Sequence, residues 1–143
     1  MIKYISGDIF KSTAQTIVNP INCMGAMGAG LARQFRDRYP DMYKKYQKYC
    51  LDNLIKPGVL MLYKAPDYWV LNFPTKFDWR EKSHINYIED GLKKFIETYE
   101  SKGITSIAFS KLGCGLGGLD WIDVKPLMEK YLGNLPIDVL IYC

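Results

Sequence analysis

The sequence LGCGLGGLD, at residues 112–120, has the composition of a loop that binds a phosphate group. Its four glycines follow a short apolar stretch, residues 104–109, and precede a pattern with helical spacing at 121–132. Glycine has no Cβ, so backbone N–H groups in such a loop can turn toward an anion, and the following helix N-terminus adds partial positive charge. The spacing matches neither the GxGxxG pattern of dinucleotide-binding folds nor the GxxxxGK[ST] pattern of P-loop ATPases. A plain strand-to-helix connection is the alternative, so the residues predict a phosphate-bearing ligand without identifying it.

Two further loops have features that could complete a site with this one. The stretch NCMGAMGAG, residues 22–30, is also rich in glycine and leads from a β-branched strand into a helix. The stretch FPTKFDWREKSH, residues 73–84, is polar and aromatic and contains Lys76. Ligands of open α/β sheets bind at the carboxyl ends of strands, where loops from separate crossovers converge. We therefore expect all three loops to line one cleft.

Short apolar stretches predict the strands that position these loops, and helical patterns separate them. The predicted strands cover residues 2–5, 16–18, 59–63, 68–73, 104–109 and 137–142. Continuous apolar strands are covered on both faces, which predicts an α/β fold, a three-layer α/β/α sandwich with a mixed central sheet. Gly91, inside the helical pattern from Ile85, indicates a close approach of that helix to the sheet. Pro126 fits only the first turn of a helix, which allows the last helix to begin after Trp121.

The composition is that of a single globular domain spanning residues 1–143. The net charge of +4 suits an anionic ligand or a nucleic acid without requiring either. The four cysteines form no CxxC pair and His84 is the only histidine, so we expect no metal centre, no bound cofactor and no histidine-based chemistry. Scattered cysteines predict a reduced, cytoplasmic protein, and the sequence shows neither a signal-peptide pattern nor a long apolar segment for a membrane.

Four segments, in their order and spacing, resemble the macrodomain family, whose fold binds ADP-ribose. They are GDIF after the first strand, VNPIN leading to GAMGAG, FPTK, and LGCGLGGLDW. The resemblance spans essentially the whole chain. It is greatest to the branch with a lysine in the cleft, which contains the terminal ADP-ribose protein glycohydrolase and the macrodomain of the DarG antitoxin. Within that branch, FPTK followed by WR, together with GLGGLDW, is most similar to the DarG type.

The resemblance implies a role for each matching residue of the ADP-ribose site. Asp8 would accept a hydrogen bond from the adenine amino group beside the backbone of Ile9, although it could also simply cap a turn after Gly7. Asn22 would lie against the distal ribose, although its residue type at this position also predicts an Asx turn. The diphosphate would lie between the two glycine-rich loops, which would contact it through Gly28, Gly30, Gly113, Cys114, Gly115, Leu116, Gly117 and Gly118.

Lys76 is the residue on which catalysis would depend. It lies next to Phe73, Phe77 and Trp79, and desolvation among such rings disfavours an ammonium and raises the fraction of neutral amine. A neutral amine could attack the anomeric carbon of the distal ribose, open the ring and proceed through a Schiff base. A protonated lysine could instead stabilise negative charge on the leaving group without a covalent step. A solvated surface lysine is the ordinary reading, and the sequence leaves all three open.

One position departs from the terminal protein glycohydrolase. An acidic residue follows GCGL in that enzyme, whereas Gly117 stands there in this chain. The nearest acid, Asp120, is better explained as a helix N-cap, so no general acid or base is identified. Arg80 and Lys82 could contact a DNA phosphate at the mouth of the cleft, and a solvated loop explains them equally well.

The expected function is therefore an ADP-ribosyl glycohydrolase that binds ADP-ribose and removes it from thymidine in DNA by means of Lys76. Two alternatives stay open: removal of ADP-ribose from protein Glu or Asp, or deacetylation of O-acetyl-ADP-ribose, and a non-catalytic reader of ADP-ribosylated partners. A phosphate-sugar enzyme unrelated to ADP-ribose is a further rival. The resemblance also implies a cognate ADP-ribosyltransferase toxin as a partner.

Overall fold

A six-stranded sheet lies between two pairs of helices in the computed structural model, which describes all 143 residues. The strands are β1 (Ile2–Ile5), β2 (Thr16–Ile21), β3 (Met61–Lys64), β4 (Trp69–Pro74), β5 (Ser106–Ser110) and β6 (Asp138–Tyr142). The helices are α1 (Gly30–Arg38), α2 (Pro40–Leu51), α3 (Ile85–Thr98) and α4 (Trp121–Leu132), and one-turn 3-10 helices cover Ile9–Lys11 and Gly115–Gly117. No helix combines the length and hydropathy needed to span a bilayer.

The strand order is β1-β6-β5-β2-β4-β3, and only the pairing of β3 with β4 is antiparallel. The predicted mixed sheet is confirmed, and its antiparallel pair joins the third and fourth strands. After the neighbouring strands β2 and β5, the chain continues toward opposite edges of the sheet. From β5 the chain passes through α4 to β6, whereas from β2 it passes through α1 and α2 to β3. Such a reversal opens a crevice at the carboxyl ends of the two strands.

Each face of the sheet is covered by its own hydrophobic core. Phe35 of α1 and Tyr46 of α2 pack on one face, and both are fully buried. Phe95 of α3 and Met128 of α4 pack on the other face and are buried to the same degree. The three-layer architecture predicted from the continuous apolar strands is therefore confirmed.

Strands β2 and β5 separate where the crevice begins. Only Thr16 and Ile17 of β2 are in register with β5, opposite Ile107 and Ala108, whereas all six residues of β2 are in register with β4. The sequence predicted that this strand would end at Val18, before Asn19 and Pro20, but β2 continues to Ile21. Pro20 has no backbone N–H to donate to a neighbouring strand. Because β2 has already separated from β5 at this residue, no hydrogen bond to β5 is lost.

The last helix begins at its predicted N-cap. The Asp120 carboxylate accepts a hydrogen bond from Ile122 N at 3.0 Å, and α4 starts at Trp121. The later start that Pro126 allowed is not observed, since this proline lies inside the helix. Pro126 and Ile122, four residues earlier, are both exposed, so the carbonyl that loses its intrahelical donor lies on the solvent side.

Helix α3 approaches the sheet as closely as Gly91 predicted. A Cβ on Gly91 would collide with the ring of Phe73, which is fully buried in β4. The ring therefore occupies the space that any other residue would need. This contact fixes the height of α3 above the strand that leads into the Lys76 loop.

Candidate functional site

A cleft of about 830 Å³ opens at the carboxyl ends of β2 and β5, where these strands have separated. Three segments form its walls: the first loop (residues 22–30), the second loop (residues 112–120) and the lysine loop (residues 75–84). The volume lies in the range of pockets that bury most of a small ligand. The predicted convergence of the three loops is therefore observed.

The first loop is shaped by the side chain of Asn22. Its Oδ1 accepts hydrogen bonds from Met24 N at 2.9 Å and from the Tyr46 hydroxyl at 2.8 Å, and its Nδ2 donates to Ala26 O at 2.6 Å. The Asx turn that the residue type predicted is thus formed. Asn22 also lines the cleft, so one remaining N–H of its amide could still meet a ligand.

Helix α1 begins at the cleft with unpaired backbone donors. Ala29 is its N-cap and provides no side-chain hydrogen bond, although Ser, Thr, Asp and Asn are the residues that usually cap helices. The N–H groups of Gly30, Leu31 and Ala32 find no acceptor within the protein, and all three residues line the cleft. An anion can bind these donors, and the helix dipole favours it there.

The second loop presents donors from the opposite wall. Gly113 and Gly115 have φ of +71° and +67°, which side-chain-bearing residues rarely adopt. The N–H groups of Gly113, Gly115 and Leu116 have no acceptor within the protein. Two sets of free backbone donors therefore face one cleft, which suits a ligand with two adjacent phosphate groups.

The two glycine-rich loops touch each other across the cleft. A Cβ placed on Gly30 would lie 2.7 Å from Leu116 Cδ1, so a side chain there would displace the Leu116 side chain, and the φ of +58° also favours glycine. Leu116 itself is 73% exposed. Its side chain forms a bridge between the loops that is not explained by burial in a core.

Lys76 lies between the two loops and lines the cleft. Its side chain is half-buried, and its Nζ forms no salt bridge within the protein. The aromatic surroundings expected for it are only partly closed, since Phe73 is fully buried while Phe77 and Trp79 are about half exposed. Trp79 alone of these three rings lines the cleft beside Lys76.

Backbone hydrogen bonds join the lysine loop to both glycine-rich loops. Cys23 N donates to Phe77 O at 2.8 Å on one side, and Ser83 N donates to Gly117 O at 2.8 Å on the other. The Ser83 hydroxyl also lies against Gly117, so a side chain at position 117 would collide with it. The position of Lys76 is thereby tied to the shape of both loops.

Three of the predicted ligand-binding residues lie outside the cleft lining. Asp8 is exposed and caps the 3-10 helix, accepting a hydrogen bond from Phe10 N at 3.0 Å, as its turn-capping alternative predicted. The Ile9 side chain is buried in the core, so only its backbone is available. Gly118 has φ of +78° and turns the chain toward α4. The other predicted residues line the cleft: Asn22, Gly28, Gly30, Lys76, Gly113, Cys114, Gly115, Leu116 and Gly117.

Several lining residues were missed by the sequence analysis. Lys111 precedes the second loop and Tyr142 ends β6, and both lie at the carboxyl edge of the sheet. Their positions directly after or at the end of apolar strands were a usable signal. Ser83 gave no such signal, because its role depends on a contact with the second loop.

The charged side chains that line the cleft are Lys76 and Lys111, and no carboxylate or histidine is among the lining residues. Burial raises the pKa of the Cys114 thiol in the second loop, so this side chain stays neutral. No group of three or more histidine, cysteine or carboxylate side chains is placed to hold a metal ion. The cleft therefore attracts anions but lacks an evident general base.

Comparison with known proteins identifies related chains with the same architecture. The Macro domain family model matches residues 18–128. The DNA ADP-ribosyl glycohydrolase of Mycobacterium tuberculosis is 38% identical over 99% of this chain and 42% of its own length. A DNA ADP-ribosyl transferase–DNA ADP-ribosyl glycohydrolase fusion protein of Thermosipho africanus is also 38% identical, over 99% of this chain and 41% of its own. The chain thus spans about two-fifths of the length of these curated relatives.

Solved structures agree with the sequence comparison. The macrodomain of Mycobacterium tuberculosis DarG superposes with a TM-score of 0.95 at 39% identity, covering 99% of this chain and 97% of that one. Thermosipho africanus DarTG in complex with ADP-ribose gives a TM-score of 0.94 at 40% identity, over 99% of this chain and 41% of that one. From the family match, these identities and the shared fold, the chain belongs to the macrodomain family.

Proposed function

We propose that this macrodomain is an ADP-ribosyl glycohydrolase that releases ADP-ribose from thymidine in DNA. The observation that carries the proposal is the place of Lys76, whose Nζ forms no salt bridge and which lines the cleft between two loops with free backbone donors. The Mycobacterium relative is named a DNA ADP-ribosyl glycohydrolase, and the Thermosipho relative is named a fusion that includes one. Both names support the choice of DNA as the substrate.

Binding would be provided by the backbone. The diphosphate would accept hydrogen bonds from the free N–H groups at the start of α1 and from those of Gly115 and Leu116. As the family resemblance implies, Asp8 would accept a hydrogen bond from the adenine beside the backbone of Ile9. The remaining N–H of Asn22 would face the distal ribose. Lys111 adds positive charge to the lining. No metal or cofactor is needed for this mode of binding.

Lys76 would act on the anomeric carbon of the distal ribose in one of two ways. As a neutral amine it would form a C–N bond to that carbon while the bond to the base breaks with its electron pair. The base would take up one proton from the attacking nitrogen. The lone pair of that nitrogen would then open the sugar ring, whose oxygen takes up the remaining N–H proton, and water would hydrolyse the resulting Schiff base to release ADP-ribose and free lysine. As an ammonium it would instead stabilise the negative charge that develops on the departing base.

Substitution of Lys76 tests the function and separates the two roles. Lys76→Ala should lower turnover of ADP-ribosylated single-stranded DNA by roughly 100-fold or more while ADP-ribose still binds in calorimetry. Lys76→Arg keeps a positive charge but cannot form the Schiff base, so it retains activity only if the role is electrostatic. Lys125→Ala, which removes an exposed lysine of α4 outside the cleft lining, is the matched control.

Borohydride trapping addresses the covalent step directly. Reduction during turnover should leave ADP-ribose attached to Lys76, and mass spectrometry would locate the adduct. Parallel assays with thymidine-linked, glutamate-linked and acetylated ADP-ribose identify the leaving group. Turnover of glutamate-linked or acetylated ADP-ribose, without turnover of the thymidine conjugate, would contradict DNA as the substrate.

A non-catalytic reader is the second candidate, and the cleft lining favours it in one respect. No carboxylate or histidine lines the cleft, and Asp120 is engaged as the N-cap of α4. A reader would bind ADP-ribose and show no turnover with any of the three substrates.

We also propose a DNA ADP-ribosyltransferase as the partner, since the Thermosipho relative joins both activities in one fusion protein. We propose a cytoplasmic location as well, since all four cysteines are free.

A further inference from the structure

Three large apolar side chains lie exposed beside the Lys76 end of the cleft. Trp79 is 56% exposed, Met24 50% and Phe77 46%. The hydrogen bond from Cys23 N to Phe77 O places the residue after Cys23, Met24, next to the lysine loop. Neither core of the protein contains any of the three. Their exposure at the mouth of the cleft therefore calls for a partner other than the fold itself.

The segment that carries Trp79 is held in a defined shape. The Asp78 carboxylate accepts hydrogen bonds from Arg80 N at 2.9 Å, from Arg80 Nε at 3.0 Å and from Arg80 Nη2 at 2.6 Å. These hydrogen bonds lower the pKa of Asp78 to about 2, so the pair stays ionised at neutral pH. The Arg80 guanidinium carbon lies 5.7 Å from the centroid of the Trp79 ring. Arg80 thus supports the indole, which is presented to solvent in an ordered position.

Two lysines, Lys76 and Lys82, lie in the same loop as Trp79. The aliphatic stem of Lys82 runs along Gly118 of the second loop, with carbons 3.4–3.6 Å from where a Cβ would be. Neither Lys82 nor Lys76 forms a salt bridge. An exposed ring with ammonium groups nearby is complementary to a chain that alternates flat bases with phosphates.

We propose that Trp79 is a stacking platform for a nucleobase of single-stranded nucleic acid, with Lys82 contacting a neighbouring phosphate. The inference rests on the proposed function, because a polymer attached to the distal ribose would leave the cleft beside Lys76 and Trp79. The indole face away from Arg80 receives the base. Stacking requires a base that is not already paired and stacked in a duplex, so the platform selects single strands.

The first experiment measures binding without catalysis. A fluorescein-labelled, unmodified dT oligonucleotide is titrated into protein saturated with ADP-ribose, and anisotropy reports the affinity. Trp79→Ala should weaken this affinity roughly 5- to 100-fold, the range expected for loss of one base–aromatic stack, and Trp79→Phe should restore most of it. Tyr49→Ala, which removes an exposed aromatic residue of α2, should leave the affinity unchanged. Lys82→Gln should reduce the salt dependence of log Kd by about one phosphate contact.

The second experiment compares ADP-ribosylated thymidine with an ADP-ribosylated dT oligonucleotide. The parent protein should have a lower KM for the oligonucleotide, and Trp79→Ala should remove that advantage, so that the two substrates have the same KM. Oligonucleotide binding through Trp79 without turnover of either substrate would reject the proposed function and leave the platform supported. Failure of the parent to bind the oligonucleotide, or equal binding by Trp79→Ala, would overturn the platform. An equal effect of Trp79→Ala on an ADP-ribosylated glutamate peptide would overturn it too, since the surface would then serve polypeptide.

Discussion

The first loop is held in place by side-chain hydrogen bonds, whereas the second loop is held by close packing against its glycines. In the first loop, Asn22 bonds to Met24 and Ala26, and Tyr46 of α2 donates to Asn22. In the second loop, the side-chain hydrogen bond to the loop backbone is a long one, from Cys114 Sγ to Leu112 O at 3.6 Å, and groups of Ile88, Leu119 and Ser83 fill the space beside Gly113 and Gly117. The two walls of the cleft are therefore stabilised by different interactions, hydrogen bonds in one and close packing in the other, and different substitutions should disrupt them.

The largest effect is expected from Gly113→Ala in the second loop. Its φ of +71° disfavours alanine, and the new Cβ would lie 2.7 Å from Ile88 Cδ1 and Leu119 Cδ1. Strain and overpacking together should lower the free energy of unfolding by about 2–4 kcal/mol, measured by urea denaturation. Gly28→Ala is the matched control in the first loop, because no atom lies within 4 Å and its φ is not positive. Equal losses in both variants would contradict the proposed difference between the loops.

A smaller effect is expected when the hydrogen bonds of the first loop are removed. Asn22→Ala leaves Met24 N and Ala26 O without their side-chain partner, while the Tyr46 hydroxyl keeps Asn22 O as an acceptor at 2.7 Å, and the change should cost about 1–3 kcal/mol. Tyr46→Phe should cost about 0.5–1.5 kcal/mol. The double variant should cost less than the sum, because both changes remove the same bond. Strict additivity in denaturation experiments would show that the hydroxyl supports the loop through the backbone oxygen of Asn22 and not through its side chain.

The smallest effect is a difference in thiol reactivity, which distinguishes the loops without mutation. Burial raises the pKa of Cys23 in the first loop to about 12, so rising pH yields little thiolate there until well above 9. At pH 8, iodoacetamide should label exposed Cys143 first and half-buried Cys114 slowly, leaving Cys23 unmodified, as read by mass spectrometry. ADP-ribose should protect Cys114, which lines the cleft. Labelling of Cys23 as fast as Cys114 would mean that the first loop opens readily.

The arrangement of the sheet and loops was accessible from the sequence because its signals are local. Glycine clusters, β-branched stretches and the acid before Trp121 each report on their immediate neighbours along the chain. The convergence of the three loops followed from a general rule of α/β sheets, whereas the strand order itself was not predicted. Local signals therefore accounted for the architecture and for most of the residues that line the cleft.

What the sequence did not predict depends on contacts between distant residues. Ser83 donates a hydrogen bond to Gly117, and Tyr46 donates one to Asn22. Neither contact can be predicted from residue spacing or composition. The position of Pro126 inside α4 depends on solvent access to a carbonyl one turn earlier. No signal in the sequence indicated that Asp78 and Arg80 bond to each other, on either side of an exposed Trp79.

The short register between β2 and β5 leaves few backbone hydrogen bonds across the centre of the sheet. Thr16 and Ile17 alone pair with β5, so beyond them the sheet consists of two half-sheets joined along a short seam. A nucleotide bound across the seam would contact both halves and resist their separation. A bound ligand would thus add contacts across the centre of the sheet, where the backbone leaves its own pairing incomplete.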